Sequence, residues 1–143
     1  MSIAGSERLL ESGILLAQLE KAERKFVSTA LDELERKTRS RRCKFISSDE
    51  CINKVTDIFV SCGKLSEQMS KQQFKAAIEE SASSVSTAFH TRRFMNKATK
   101  DKNIEEAARR LLSAADMIDT GEPRVDKAKT IACALYMHGC NKK

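Results

Sequence analysis

The stretch SSDECINKVTDIFVSCG, residues 47–63, decides the fold class. Its opening, Ser47-Ser48-Asp49-Glu50, reads as a capping box in which Ser47 and Glu50 satisfy each other's orphan backbone donors, with Ile46 and Cys51 placed as a hydrophobic staple. Cys51, Ile52, Val55, Ile58, Phe59 and Cys62 then recur at helical spacing, and Gly63 supplies a stop. A strand would alternate every second residue, and this segment does not.

Working outward, the same punctuation repeats. Ser70 and Gln73 form a second box, and the apolar positions Ala77, Ile78, Ala82, Val85, Ala88 and Phe89 carry that helix to about residue 96. Asn103 is placed to cap a run through Ile104, Ala107, Leu111, Ala115 and Ile118 that Gly121 stops. Pro123 suits the first turn of a last helix, with Val125, Ala128, Ile131, Ala132 and Leu135 on its inner side and Gly139 as its C-cap. Upstream, Leu10, Ile14, Ala17, Phe26, Ala30 and Leu34 step along one side of a long N-terminal helix, and Glu20/Arg24 and Glu33/Lys37 are spaced as i,i+4 pairs. Gly13 lies inside it at a cost of about 1 kcal/mol relative to alanine, so a start after that residue is also open.

The expected fold is therefore all-α: one domain over residues 1–143, a bundle of four to five helices near 6–37, 48–62, 70–96, 103–119 and 123–138. With one proline, five glycines, no tryptophan and one tyrosine, little in the 143 residues argues for a sheet. The Ala-rich faces of the last two helices favour a close hairpin.

The apolar run around residues 9–19 is interrupted by Glu11 and Gln18 and is too short to span a bilayer. No signal-peptide pattern is read, and five cysteines without paired spacing suit a reducing compartment, so cytoplasm, with the nucleus as a second choice, is the expected location.

Charge is the most informative functional feature. Residues 36–44 hold Arg36, Lys37, Arg39, Arg41, Arg42 and Lys44 with no acid. Residues 92–102 hold Arg92, Arg93, Lys97, Lys100 and Lys102 against Asp101. These two clusters carry +6 and +4 of a chain whose net charge is +6, so the remainder is mildly acidic. Cations at a helix C-terminus gain roughly 0.3–1 kcal/mol each from the helix dipole, but only within the last turn. Six in nine residues exceed that preference and repel one another, which points to an anionic partner.

In an up-down-up arrangement of the first three helices, both clusters share one end. Phe45, His90 and Phe94 then lie among the cations as stacking partners for bases, with Phe45 and Phe94 equally readable as core residues at helix ends. No recognition helix, zinc finger or RNP motif offers base readout, so the expected partner is nucleic acid held by its backbone, RNA favoured over DNA. The expected contacts are Arg36, Lys37, Arg39, Arg41, Arg42, Lys44, Arg92, Arg93, Lys97 and Lys100. Residues 37–44 also read as a nuclear import signal.

Catalytic and metal chemistry is thin. Cys133, His138 and Cys140 cluster in sequence without a zinc spacing, Cys51 and Cys62 sit on an apolar stripe as buried thiols, and Cys43 lies between two cations that favour its thiolate. No Gly-rich phosphate loop, Cys/His pair or carboxylate in an apolar setting stands out, so no enzyme activity, cofactor, metal, membrane partner or small-molecule substrate is expected. A competing expectation is a protein-interaction adaptor or regulator: Leu9, Leu15, Leu16 and Val27 are apolar positions beyond what one stripe of the first helix needs, and the surplus suits self-association into a homo-oligomer.

Overall fold

The computed structural model describes the backbone of residues 3–90 and 96–142 and the side chains of 12–90 and 96–140. The described residues form five helices: α1 (Ile3–Ser40), α2 (Asp49–Ser61), α3 (Lys71–Phe89), α4 (Lys97–Ala115) and α5 (Arg124–Gly139). They form an all-α bundle. Two three-residue strands that the sequence does not announce, β1 (Cys43–Phe45) and β2 (Cys140–Lys142), pair antiparallel. They are too short to carry any periodicity, and Phe45 faces Cys140 across the ladder.

Local signals account for most of the helix starts. Ser70 Oγ accepts from the Gln73 N–H at 3.1 Å while Gln73 Oε1 accepts from the Ser70 N–H at 3.0 Å, the reciprocal box expected there. At α2 the cap is Ser48 rather than Ser47; its hydroxyl accepts from the Cys51 N–H at 3.1 Å, and a cysteine at that third position cannot reach back as Glu50 would from Ser47. The largest shift concerns α4. Asn96, not Asn103, is its N-cap, with Oδ1 accepting from the Thr99 N–H at 2.8 Å, and α3 already ends at Phe89. Asn103 is one of two asparagines in that stretch, and the apolar periodicity that starts at Ile104 favours the wrong one.

α1 is continuous through Gly13, and only its C-terminal part is covered. Val27, Leu31, Leu34 and Thr38 face the core, whereas Ile14 and Phe26, expected on the buried side, are 58% and 60% exposed. Alanines at 107, 108, 114 and 115 on α4 and at 128 and 132 on α5 are buried, which allows the close approach of these two helices. α1 packs on α4 and α5, and α2 on α3 and α5. Phe59 and Phe74 meet edge-on at 5.7 Å between α2 and α3.

The two ends of the bundle are closed differently. At one, the loop after α2 meets the loop after α4: Ser66 N–H donates to Met117 O at 3.0 Å and Asp119 N–H to Lys64 O at 2.8 Å. Arg124, opening α5, reaches Asp116 at 2.9 Å and Glu23 of α1 at 3.3 Å at this same end.

At the other end the fully buried Phe45 ring packs edge-on against Phe89 at 5.8 Å, and Ile46 N–H donates to Gly139 O at 2.8 Å. Gly139 is not the left-handed cap expected of it: it belongs to α5, Cys140 is the C-cap, and a β-carbon on residue 139 would run into the Phe45 ring. Glycine is required there for close approach.

Gly139→Ala is therefore expected to destabilise the fold by about 1–3 kcal/mol, the usual cost of overpacking a filled core. The destabilisation, read from urea midpoints, should shrink when Phe45 is also changed to Leu, since the two positions share one contact.

Candidate nucleic-acid interface

The basic residues of 36–44 come from the last turn of α1, a turn, and β1. Arg36, Lys37 and Arg39 are exposed on the final turns of α1, while the helix keeps Glu35 and Thr38 inward, with Thr38 donating to Leu34 O at 2.8 Å. Arg41 and Arg42 make the turn, and Arg42 holds φ at +53°. An arginine in this left-handed region costs on the order of 1 kcal/mol that glycine would avoid. Strand alternation then buries Phe45 and leaves Lys44 exposed.

The second cluster reaches the same place by another route. Arg92, Arg93 and Phe94 lie outside the described residues. Lys97 and Lys100 occupy the first turns of α4, beside the C-terminal turns of α1. The contact is direct: the Glu35 carboxylate, on a residue only 4% exposed, takes Arg39 Nε at 2.9 Å and Lys100 Nζ at 3.8 Å. Arg36, Lys100 and Asp101 all act on Asp32 one turn back. Among the described residues the two groups thus meet at one pole, as an up-down-up start to the bundle requires.

One expectation is reversed. The cations at 97–102 sit at a helix N-terminus rather than after a C-terminus, and there the dipole opposes positive charge. Helix electrostatics therefore cannot explain them, and the Lys100 ion pair with Glu35 offsets the cost for one residue only. Arg39 and Lys100 are partly neutralised by Glu35, and Arg36 by Asp32. For Lys37, Arg41, Arg42, Lys44, Lys97 and Lys102, all exposed, no ion pair is formed among the described residues.

Two residues stand differently from their stacking role. Phe45 is core, fully covered by Phe89 and Gly139, and has no face to offer a base. His90 is exposed at the C-cap of α3, its Nδ1 3.1 Å from Ser86 Oγ. The β2 backbone, meanwhile, sets Lys142 opposite Cys43, so the C-terminal segment joins the pole. The sequence carries only the Asn141-Lys142-Lys143 run as a signal, without the pairing that places it.

Acid is present as well. Burial pushes the Asp32 carboxyl above its ordinary range, with Lys100 and Arg36 pulling the other way and Asp101 adding to the rise. Between α1 and α4 runs a groove of about 410 Å³, lined by Lys21, Arg24, Lys25 and Asp32 of α1 and by Asp101 and Glu105 of α4. Its signs are balanced, and Arg24 already bonds Glu105 at 3.5 Å. This groove is no anion site.

The cysteines divide by burial. Cys51 is buried and Cys62, expected with it on the stripe, is exposed at the end of α2. Burial pushes both the Cys51 and Cys140 thiols up, and Cys140 Sγ lies 3.7 Å from Thr38 Oγ1. Cys133 is exposed, and among the described residues no group of three or more His, Cys, Asp or Glu is arranged to hold a metal ion. No helix there is long and apolar enough to cross a membrane. Compared with protein-family models, curated proteins and solved structures, the chain finds no match.

Asp32→Asn supplies a test of this electrostatic picture. A carboxyl whose folded pKa is raised favours the fold when protonated, so its contribution is complete below the unfolded value of 3.8 and is lost as pH rises through the folded value. The variant should melt higher than the parent at neutral pH, and the difference should close as pH falls through the carboxylate range.

Proposed function

We propose that this chain is a non-enzymatic nucleic-acid-binding protein that grips the phosphate backbone, RNA in preference to DNA, through the pole formed by residues 36–44 and the start of α4. The observation that carries the reading is the junction at Glu35, where Arg39 and Lys100, far apart in sequence, share one buried carboxylate. Their neighbours Lys37, Arg41, Arg42, Lys44 and Lys97 are left exposed around it.

Each residue has a positional role. Arg39 and Lys100 are fixed in place, so the exposed cations project from a rigid junction instead of a flexible tail. Guanidiniums at Arg41 and Arg42 suit bidentate phosphate contacts, and the lysines act as point charges. Among the described residues Phe45 is occupied in the core and offers no face to a base, and the exposed cations sit on helix ends and a turn. Recognition by backbone spacing and shape follows, which favours a duplex RNA over a particular sequence.

The test is titration of an RNA duplex and its DNA counterpart, with affinity followed as salt rises from roughly 50 to 200 mM. Binding should weaken steeply and with little dependence on sequence. Arg41→Glu with Arg42→Glu should reduce the slope of log affinity against log salt by about 2, one for each phosphate that no longer has a cation beside it. Binding that ignores salt, or that survives this double reversal, overturns the proposal.

A further inference from the structure

α1 is longer than the bundle it belongs to. Glu23 marks where it passes the far end, through Arg124, and from residue 12 to residue 22 every described side chain is exposed, whichever way it points. The overshoot is apolar: Leu15, Leu16 and Leu19 are 65%, 57% and 57% exposed, and Phe26, just inside the span of the bundle, is 60% exposed. An isolated helix arm of this length gains little stability from its own hydrogen bonds and normally depends on burying a face.

The spacing says what covers that face. Leu15, Leu19, Ala22 and Phe26 follow one another at intervals of four, three and four, the seam of a helix pair, and they lie roughly 120° around α1 from Val27, Leu31 and Thr38, so the bundle does not obstruct them. The exposed side chains on and beside the seam amount to roughly 400–500 Å² per copy, against the ~800 Å² per partner of a standard interface, with backbone and flanking stems still to add. Acids at 20 and 23 against cations at 21, 24 and 25 leave the segment nearly neutral, unlike the strongly basic polar face of a membrane-surface helix.

We propose that this seam pairs with the same seam of a second copy, antiparallel. In that orientation Leu15 meets Phe26 of the other copy and Leu19 meets Ala22, large against small at each level. Parallel pairing would instead set Glu33 against Glu33 and bring both basic poles side by side. Antiparallel pairing separates their Lys37 positions by about 50 Å, far beyond the ~8 Å screening length.

Sedimentation equilibrium of the full chain, free of nucleic acid, tests this independently of the binding function. The parent should move from the mass of one chain to that of two across the micromolar range, and Leu19→Glu should weaken association about tenfold or more with helicity unchanged. Leu15→Lys and Phe26→Glu should each weaken it several-fold, and the two together, which set opposite charges against each other only in the antiparallel register, should restore part of it. A parent that stays monomeric at every concentration overturns the proposal, as does one that instead binds anionic lipid vesicles through this arm. A double variant no tighter than either single variant overturns the antiparallel orientation.

Discussion

The Phe45 side chain is the constraint on which the arrangement of the basic pole depends. It is the last residue of β1, it is fully buried, and it is held between Phe89 and the missing side chain of Gly139. That one ring ties the segment after α1 to the end of α3 and the end of α5. A phenylalanine in a filled core is worth roughly 3–5 kcal/mol against alanine, so the turn at Arg41 and Arg42 is anchored by a contact much stronger than the left-handed backbone strain it must hold. The basic turn is therefore presented by a rigid scaffold, which a charge cluster on a free tail would not be.

Glu35 works at the same junction by a different force. A carboxylate this deeply covered needs opposite charge, and it takes Arg39 from its own helix and Lys100 from α4. The arrangement trades the free charge of two cations for a fixed relation between two segments that otherwise repel. The repulsion that remains is among Lys37, Arg41, Arg42, Lys44, Lys97 and Lys102, where screening by salt is strong because all are exposed. An anion bound there relieves it, whereas an anion bound in the mixed-sign groove between α1 and α4 would meet as much acid as base.

What the sequence discloses, and what it hides, follows from the range of each interaction. Capping boxes and apolar periodicity are local, so the Ser70 box, the α2 stripe and the number of helices are legible. The charge clusters are legible too, because six cations in nine residues need no structure to be noticed. Gly139 misleads because its reason is a ring more than ninety positions away, and no rule of helix ends contains that contact. Asn96 is hidden behind Asn103 because periodicity begins where burial begins, and the first turns of α4 are exposed lysines with no apolar beat. That displacement also inverts the electrostatic sense of Lys97 and Lys100, from cations a helix end welcomes to cations it opposes.

α1 connects these observations. From Glu23 to Ser40 it spans the bundle, about 26 Å at 1.5 Å per residue, and residues 3–22 continue roughly 30 Å past the far end. Its two ends therefore point away from each other with different chemistry, exposed cations at one and an exposed apolar stripe at the other. Periodicity alone suggests a single amphipathic face, with Ile14 and Phe26 on the same side as Leu34. In fact α1 carries two faces: the stripe through Val27, Leu31 and Leu34 belongs to the core, and the one through Leu15, Leu19 and Phe26 is left exposed by the described residues. A helix that carries two apolar stripes about a third of a turn apart has one more such surface than the described bundle covers.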